Sequence, residues 1–111
     1  MSSSSHTTDA VFGALADPSR RYLVERLAHL GSSTPTELAS ELPMTRQAVA
    51  KHLAALEHAG LVHGTREGRR TVYRPDPTPL RHATDWITRV GAEWDARLSA
   101  LARHVDARRR P

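Results

Sequence analysis

The chain has 111 residues, a net charge of +4, a pI near 10.6 and no cysteine. A chain of this length fits one domain, and without cysteine it has neither a disulfide framework nor a thiolate metal site. No apolar run approaches the roughly 18 residues of a membrane span, and no signal peptide is evident. We therefore expect a cytoplasmic protein with no membrane partner, and the basic balance favours a polyanionic partner.

The predicted elements follow the order α-α-α-α-β-β-α, a mainly helical class with one two-stranded hairpin. Residues 1–8 are small and polar and predict a disordered segment, because nothing in them offsets the cost of ordering. Thr8 or Asp9 caps a first short helix. Asp17, with a proline after it, caps a second helix that ends at Gly31.

Two closely spaced helices lie in the middle of the chain. Thr34 and Glu37 stand at the spacing of a capping box, with Pro35 first inside the helix. Pro43 ends this short helix, and Thr45 caps the next one two residues later. Helices joined by so short a turn cross steeply, which is the helix-turn-helix arrangement.

The helix after Thr45 has an apolar back and a cationic front. Val49, Leu53 and Leu56 recur at steps of four and three, which places them on one face. The opposite face carries hydrogen-bond donors separated by methyl groups, with no acid before Glu57, and resembles a helix that lies in the major groove of DNA. The residues predicted to contact DNA from this helix are Thr45, Arg46, Gln47, Ala50, Lys51 and His52.

After Gly60 the pattern changes from helical to strand-like and predicts a hairpin over residues 61–74, with Gly68 at its turn. Residues 45–74 contain six arginine or lysine residues against two glutamates, so this window accounts for the whole net charge. The arginines near the turn are expected to reach the minor groove or the backbone of DNA rather than serve only as a soluble turn. They are Arg66, Arg69 and Arg70.

A last helix of about seven turns is predicted from Thr78, with apolar residues at steps of three and four. The hydrophobic content of 39% leaves little margin for a core, so we expect stabilisation by oligomerisation. Residues 108–111 form a basic tail. Trp86 and Trp94 on this helix belong to a core or an interface, or alternatively line a ligand pocket.

Four motifs, in order, resemble the ArsR/SmtB family of winged helix-turn-helix transcriptional repressors. They occupy residues 14–21, 37–39, 47–53 and 56–62, and the hairpin at 64–73 resembles the wing of that family. The resemblance implies that residues 9–107 form one DNA-binding and dimerisation domain. It implies a homodimer that binds an imperfect palindrome in operator DNA and blocks transcription.

The same resemblance implies that the first and last helices form the dimer interface. The residues expected there are Val11, Leu15, Ile87, Val90, Trp94, Leu98 and Leu101. Ala50 departs from the family, which usually has serine at this position, and the departure affects one phosphate or base contact.

The sequence departs further from the family pattern at the positions that sense metals. Founding members of the family bind metals through Cys-x-Cys on the helix before the recognition helix, and residues 38–42 hold no cysteine, so we predict no metal and no cofactor. The alternative is a metal- or ligand-responsive repressor with a non-cysteine site on the last helix. His82 and His104 would then meet across an antiparallel dimer.

Two other classes of function are less favoured. Seven histidines suggest an acid–base enzyme, but no nucleophile, acid pair or glycine-rich phosphate loop accompanies them, so no enzyme is predicted. A protein–protein module that has lost DNA binding would not need the intact basic face. For His52, at the edge of the apolar stripe, core packing and phosphate contact remain equally open.

Overall fold

A computed structural model describes residues 3–109, and its elements follow the predicted order. In chain order they are α1 (Ser3–Leu15), α2 (Pro18–Leu30), α3 (Pro35–Ala39), α4 (Arg46–His58), β1 (Val62–Glu67), β2 (Arg70–Pro75) and α5 (Thr78–Arg109). The predicted class, mainly helical with one two-stranded hairpin, is confirmed. No helix within this range is long and apolar enough to cross a membrane.

The junction of α1 and α2 is held by one acid and two arginines. Asp17 caps α2, and its carboxylate accepts a hydrogen bond from the backbone N–H of Arg20 at 3.1 Å, which is the main reason that the pKa of this carboxyl is lowered. The Arg20 Nε donates to the carbonyl of Ala14 at 2.6 Å, and the Arg21 Nη1 donates to that of Leu15 at 2.6 Å. These arginines satisfy carbonyls that the end of α1 would otherwise leave unpaired.

The core lies between the first four helices, the base of the hairpin and the start of α5. The predicted apolar stripe of α4 is fully buried in it, because Val49, Leu53 and Leu56 all have 0% exposure. Leu23 and Leu27 of α2 are equally buried, whereas Tyr22 and Leu30, which continue the helical spacing of these apolar residues, are exposed. The apolar face of α2 is therefore narrower than its sequence pattern indicates.

The start of α1 differs from the prediction. The helix begins at Ser3, so residues 3–8 are helical where the sequence predicts disorder, and Thr8 is buried. Because α1 packs against α5, tertiary contact supplies the stabilisation that this polar segment lacks by itself. Met1 and Ser2 lie outside the described residues, as do residues 110 and 111 of the predicted basic tail; Arg108 and Arg109 form the last turn of α5.

Val11 requires a second correction. It was predicted in the dimer interface, but its side chain has 0% exposure and belongs to the core of its own chain. Its neighbour Phe12 is 40% exposed and packs edge-to-face on Trp86, with ring centroids 5.6 Å apart. Consecutive helical residues point in directions about 100° apart, so burying Val11 turns Phe12 outward.

The caps of the helix-turn-helix pair are formed as predicted, with one difference. The Thr34 Oγ1 accepts a hydrogen bond from the Glu37 N–H at 3.2 Å, and the Thr45 Oγ1 accepts one from the Ala48 N–H at 3.0 Å. The Glu37 carboxylate does not complete the capping box by returning to Thr34. It accepts a hydrogen bond from the Ser33 hydroxyl at 3.0 Å instead.

The hairpin is tied to the helices by a third short stretch of extended chain. The strands β1 and β2 pair antiparallel from Val62 opposite Pro75 to Glu67 opposite Arg70. Gly68, with φ +66°, opens the two-residue turn, as a type II′ turn requires. Ser33 forms an isolated antiparallel bridge with Tyr73: its N–H donates to the Tyr73 carbonyl at 3.1 Å and its carbonyl accepts from the Tyr73 N–H at 2.8 Å.

The last helix starts at a carboxylate that joins it to the hairpin. The Asp76 Oδ1 accepts a hydrogen bond from the Thr78 N–H at 2.9 Å, so Asp76 caps the start of α5. The Asp76 Oδ2 lies 2.9 Å from the Nε2 of His63 on β1. The Thr78 N–H and then the His63 ring lower the pKa of Asp76 to about 2.

Only the beginning of α5 is packed against the rest of the chain. Pro79 and Ala83 are buried, and every described residue after Val90 is exposed. The helix has 32 residues, which makes it about 48 Å long. The molecule is consequently elongated, with extents of 76 × 33 × 19 Å.

Candidate nucleic-acid interface

The outward face of α4 presents unused hydrogen-bond donors. Arg46, Gln47 and Lys51 are exposed, and none of them makes a side-chain hydrogen bond or ion pair with the described part of the chain. Thr45 is exposed as well; its oxygen accepts the bond from the Ala48 N–H, which leaves its own O–H free to donate. The face therefore offers several donors at no cost in broken contacts.

A cleft of about 490 Å³ separates this face from the hairpin turn. Arg46, Gln47 and Ala50 line it from α4, while Arg69 and Arg70 line it from the hairpin. The structure thus brings five of the predicted contact residues together around one concave surface.

The arginines near the hairpin turn are not equally available. The Arg66 Nε donates to the Gly68 carbonyl at 2.9 Å, and the Arg70 Nη1 lies 3.5 Å from the Glu37 Oε1. Arg69 is exposed and has no partner among residues 3–109. Arg66 does not line the cleft, so of the three predicted arginines Arg69 is the one that is both unpaired and in the cleft.

The two other predicted contact residues of α4 lie outside the cleft lining. Lys51 is exposed beside it. His52 is half-buried and lies near Asp17, where its charge, after the backbone N–H groups of Arg20 and Ser19, helps to lower the pKa of that carboxyl. His52 is therefore placed towards the start of α2.

Glu57 was not predicted to have a role, and the structure gives it one. Its Oε2 accepts a hydrogen bond from the Gly64 N–H at 2.8 Å, which joins the end of α4 to β1. Gly64 pairs with Tyr73, whose ring covers it so closely that a Cβ on Gly64 would lie 2.9 Å from the Tyr73 Cε1. Burial, and then the charge of Glu57, raise the pKa of Tyr73. The only feature of the sequence that singled out Glu57 was its position as the first acid on the outward face of α4.

A family model described as a helix-turn-helix domain matches residues 15–65. The HTH-type transcriptional regulator Rv2034 of Mycobacterium tuberculosis is 41% identical over 99 residues, which cover 89% of each chain. The solved structure of an ArsR-like transcriptional regulator from Rhodococcus sp. RHA1 is 38% identical and superposes with a TM-score of 0.76, covering 88% of this chain and 92% of that chain. This chain belongs to the ArsR-like family of winged helix-turn-helix transcriptional regulators.

A second solved structure shares the fold of this ArsR-like regulator. It is the winged helix-turn-helix domain of Mb0332 from Mycobacterium bovis, a possible ArsR-family regulator, described as homodimeric and DNA-binding. It is 28% identical, with a TM-score of 0.63 over 79% of this chain and 80% of that chain. The family and the winged helix-turn-helix fold predicted from the sequence are confirmed.

No metal centre is assembled within a single chain of this ArsR-like regulator, as far as residues 3–109 show. No three histidine, aspartate or glutamate side chains in that range lie together as metal ligands would. His82 is half-buried near the start of α5, whereas His104 is exposed near its end. The alternative of a metal-responsive site on the last helix therefore gains no support from the protomer.

Proposed function

We propose that this ArsR-like regulator binds palindromic operator DNA as a homodimer, placing α4 of each protomer in a major groove, and represses transcription without catalysing a reaction. The observation that carries the proposal is the face of α4. Arg46, Gln47 and Lys51 are exposed and unpaired there, and Arg46 and Gln47 line a cleft whose other side carries the unpaired Arg69 of the hairpin.

Base reading is assigned to the first turn of α4. A guanidinium forms two hydrogen bonds with guanine and a carboxamide forms two with adenine, so Arg46 and Gln47 suit direct readout. Ala50 is half-buried and lines the same cleft, and its methyl group permits close approach and apolar contact with a thymine methyl group. Thr45 and Lys51 are assigned to backbone phosphates, which fix the register of the helix on the duplex.

The hairpin acts as the wing. Arg69 is assigned to the minor groove or its phosphates, because it is exposed, unpaired and next to the turn. Secondary phosphate contacts are assigned to Arg66, Arg70 and His52. Each of these side chains already interacts with a protein group, and this interaction would have to break or be shared when a phosphate binds.

The dimer interface is assigned to the exposed apolar stripe of α5. Ile87, Trp94, Leu98 and Leu101 are 53%, 69%, 59% and 55% exposed, and apolar surface of this extent marks a protein interface. Leu15 and Val90 are half-buried and stay in the proposed interface, and Phe12 replaces Val11 as the exposed apolar residue of α1. The homodimeric state described for the Mycobacterium bovis relative supports this assignment.

The proposal is tested by selecting bound sites from random DNA and then measuring variants on the selected site. A palindrome with half-sites about 34 Å apart is expected. Arg46→Ala should cost about 1–3 kcal/mol and relax the base preference at one position. Lys51→Ala should weaken binding to all sequences and lower the salt slope by about one. Equal losses on selected and random DNA for Arg46→Ala would contradict the readout role.

A further inference from the structure

An acid lies among the arginines of the DNA-facing cleft. Glu37, at the start of α3, lines the cleft together with Arg46, Arg69 and Arg70. Its carboxylate is held in place, because the Ser33 hydroxyl donates to its Oε2 at 3.0 Å. A fixed negative charge therefore stands on the surface that is proposed to meet the phosphates.

The other oxygen of this carboxylate holds one of the wing arginines. The Glu37 Oε1 lies 3.5 Å from the Arg70 Nη1, and the two side chains are 54% and 62% exposed. An ion pair so open to solvent contributes little to folding stability. Its larger effect is on binding, since a phosphate that approaches Arg70 has to compete with Glu37 for the guanidinium.

We propose that Glu37 is a built-in competitor of the DNA backbone: it retains Arg70 in the free protein and thereby lowers the affinity of the wing for duplex DNA of any sequence. The inference rests on the function proposed above and identifies which protein group opposes it. The effect is independent of sequence, because Arg70 is assigned to a phosphate and phosphate contacts carry no base information.

The test removes the charge and keeps the shape. Glu37→Gln retains an oxygen that accepts the Ser33 hydrogen bond. The matched control is Glu41→Gln, which changes the net charge equally and also frees an arginine, because Glu41 accepts hydrogen bonds from the Arg26 Nε at 2.8 Å and Nη2 at 3.0 Å. Neither residue of that pair lines the cleft.

Binding to a labelled random-sequence duplex of roughly 30 base pairs is followed by fluorescence anisotropy from about 50 to 200 mM salt. Glu37→Gln is expected to bind about two- to fivefold more tightly than the wild type at the lowest salt. Its plot of log affinity against log salt should be steeper by up to about 0.9, the value of one phosphate contact. Glu41→Gln should change both quantities less.

The role of Arg70 is tested by a double-variant cycle. In an Arg70→Gln background, Glu37→Gln should produce no gain beyond that of Glu41→Gln. A second measurement does not depend on any Glu37 variant: because Arg70 is retained by an acid and Arg69 is not, Arg70→Gln should lose less affinity than Arg69→Gln. Circular dichroism melting checks that every variant is folded.

Three results would overturn the proposal. Glu37→Gln could bind no more tightly than Glu41→Gln, its gain could persist in full without Arg70, or Arg70→Gln could cost as much affinity as Arg69→Gln. A wild-type protein that binds neither random nor selected duplex would refute the proposed function as well, and that failure is recognised before any variant is made.

Discussion

Replacing Gly64 by alanine tests the contact between the wing strands and Tyr73. Glycine inside a strand normally costs roughly 0.5–1 kcal/mol relative to alanine, so a substitution with free space would be stabilising. At Gly64 the added Cβ would lie 2.9 Å from the Cε1 and 3.1 Å from the Cζ of Tyr73, and 3.2 Å from the Cγ2 of Thr71. Distances this short force the ring or the strand to move.

Whether Gly64→Ala stabilises or destabilises the protein depends on the cost of overpacking relative to the gain in backbone stability. Overpacking costs about 1–3 kcal/mol, which exceeds the backbone gain, so the expected net loss in the free energy of unfolding is about 1 kcal/mol. In a domain of this size that loss lowers the melting temperature by about 4 °C. Urea unfolding followed by circular dichroism measures it, at one fixed protein concentration because association shifts apparent stability.

A control and a second background separate crowding from other causes. Gly13 lies within α1 and a Cβ there would meet nothing within 4 Å, so Gly13→Ala should stabilise the protein. In a Tyr73→Ala background the ring is gone, and Gly64→Ala should become neutral or slightly stabilising. The reasoning is refuted if Gly64→Ala stabilises the wild type, or if its cost is unchanged without the ring.

Three further predictions concern other contacts. At pH values above 3.8, the ordinary pKa of Asp, Asp76→Asn should lower the melting temperature. Because the Thr78 N–H helps to hold the folded pKa of Asp76 at about 2, the difference in melting temperature from the wild type should shrink as the pH falls from 3.8 to 2. A difference that stays constant over this pH range would contradict the prediction. Trp94→Glu places a charge on the exposed apolar stripe of α5 and should yield a folded monomer in sedimentation velocity. A dimer that persists unchanged would show that Trp94 is not part of the interface. Glu57→Ala should destabilise the wing, because it leaves the Gly64 N–H without its acceptor. Hydrogen exchange of the Gly64 amide should then become faster, and an unchanged exchange rate would show that the bond is unimportant.

Local signals were sufficient for most of the fold. Thr45 and the spacing of Val49, Leu53 and Leu56 indicated where α4 begins and which face it buries, because capping and helical periodicity depend on neighbours in sequence. Gly68 likewise marked the turn of the hairpin, where a positive φ is required.

Contacts between elements distant in sequence were not predictable in this way. The period of α1 could not distinguish Val11 from Phe12 as the buried residue, since that choice depends on where α5 packs. Glu57 looked like an ordinary surface acid and Glu37 like part of a capping box, because the partners that Gly64 and Arg70 provide lie on the hairpin. The DNA contacts themselves stay a prediction, while the structure gathers most of the predicted residues on one surface.

Two main-chain hydrogen bonds between Ser33 and Tyr73 fasten the loop before α3 to β2. Such bonds do not depend on the side chains around them, since every residue except proline carries the same donor and acceptor. Substitutions of exposed side chains at the start of α4 and at the hairpin turn are therefore expected to leave this main-chain attachment intact. We expect the exposed positions of the two elements to accept replacements that change base preference while the wing stays fastened to the helices.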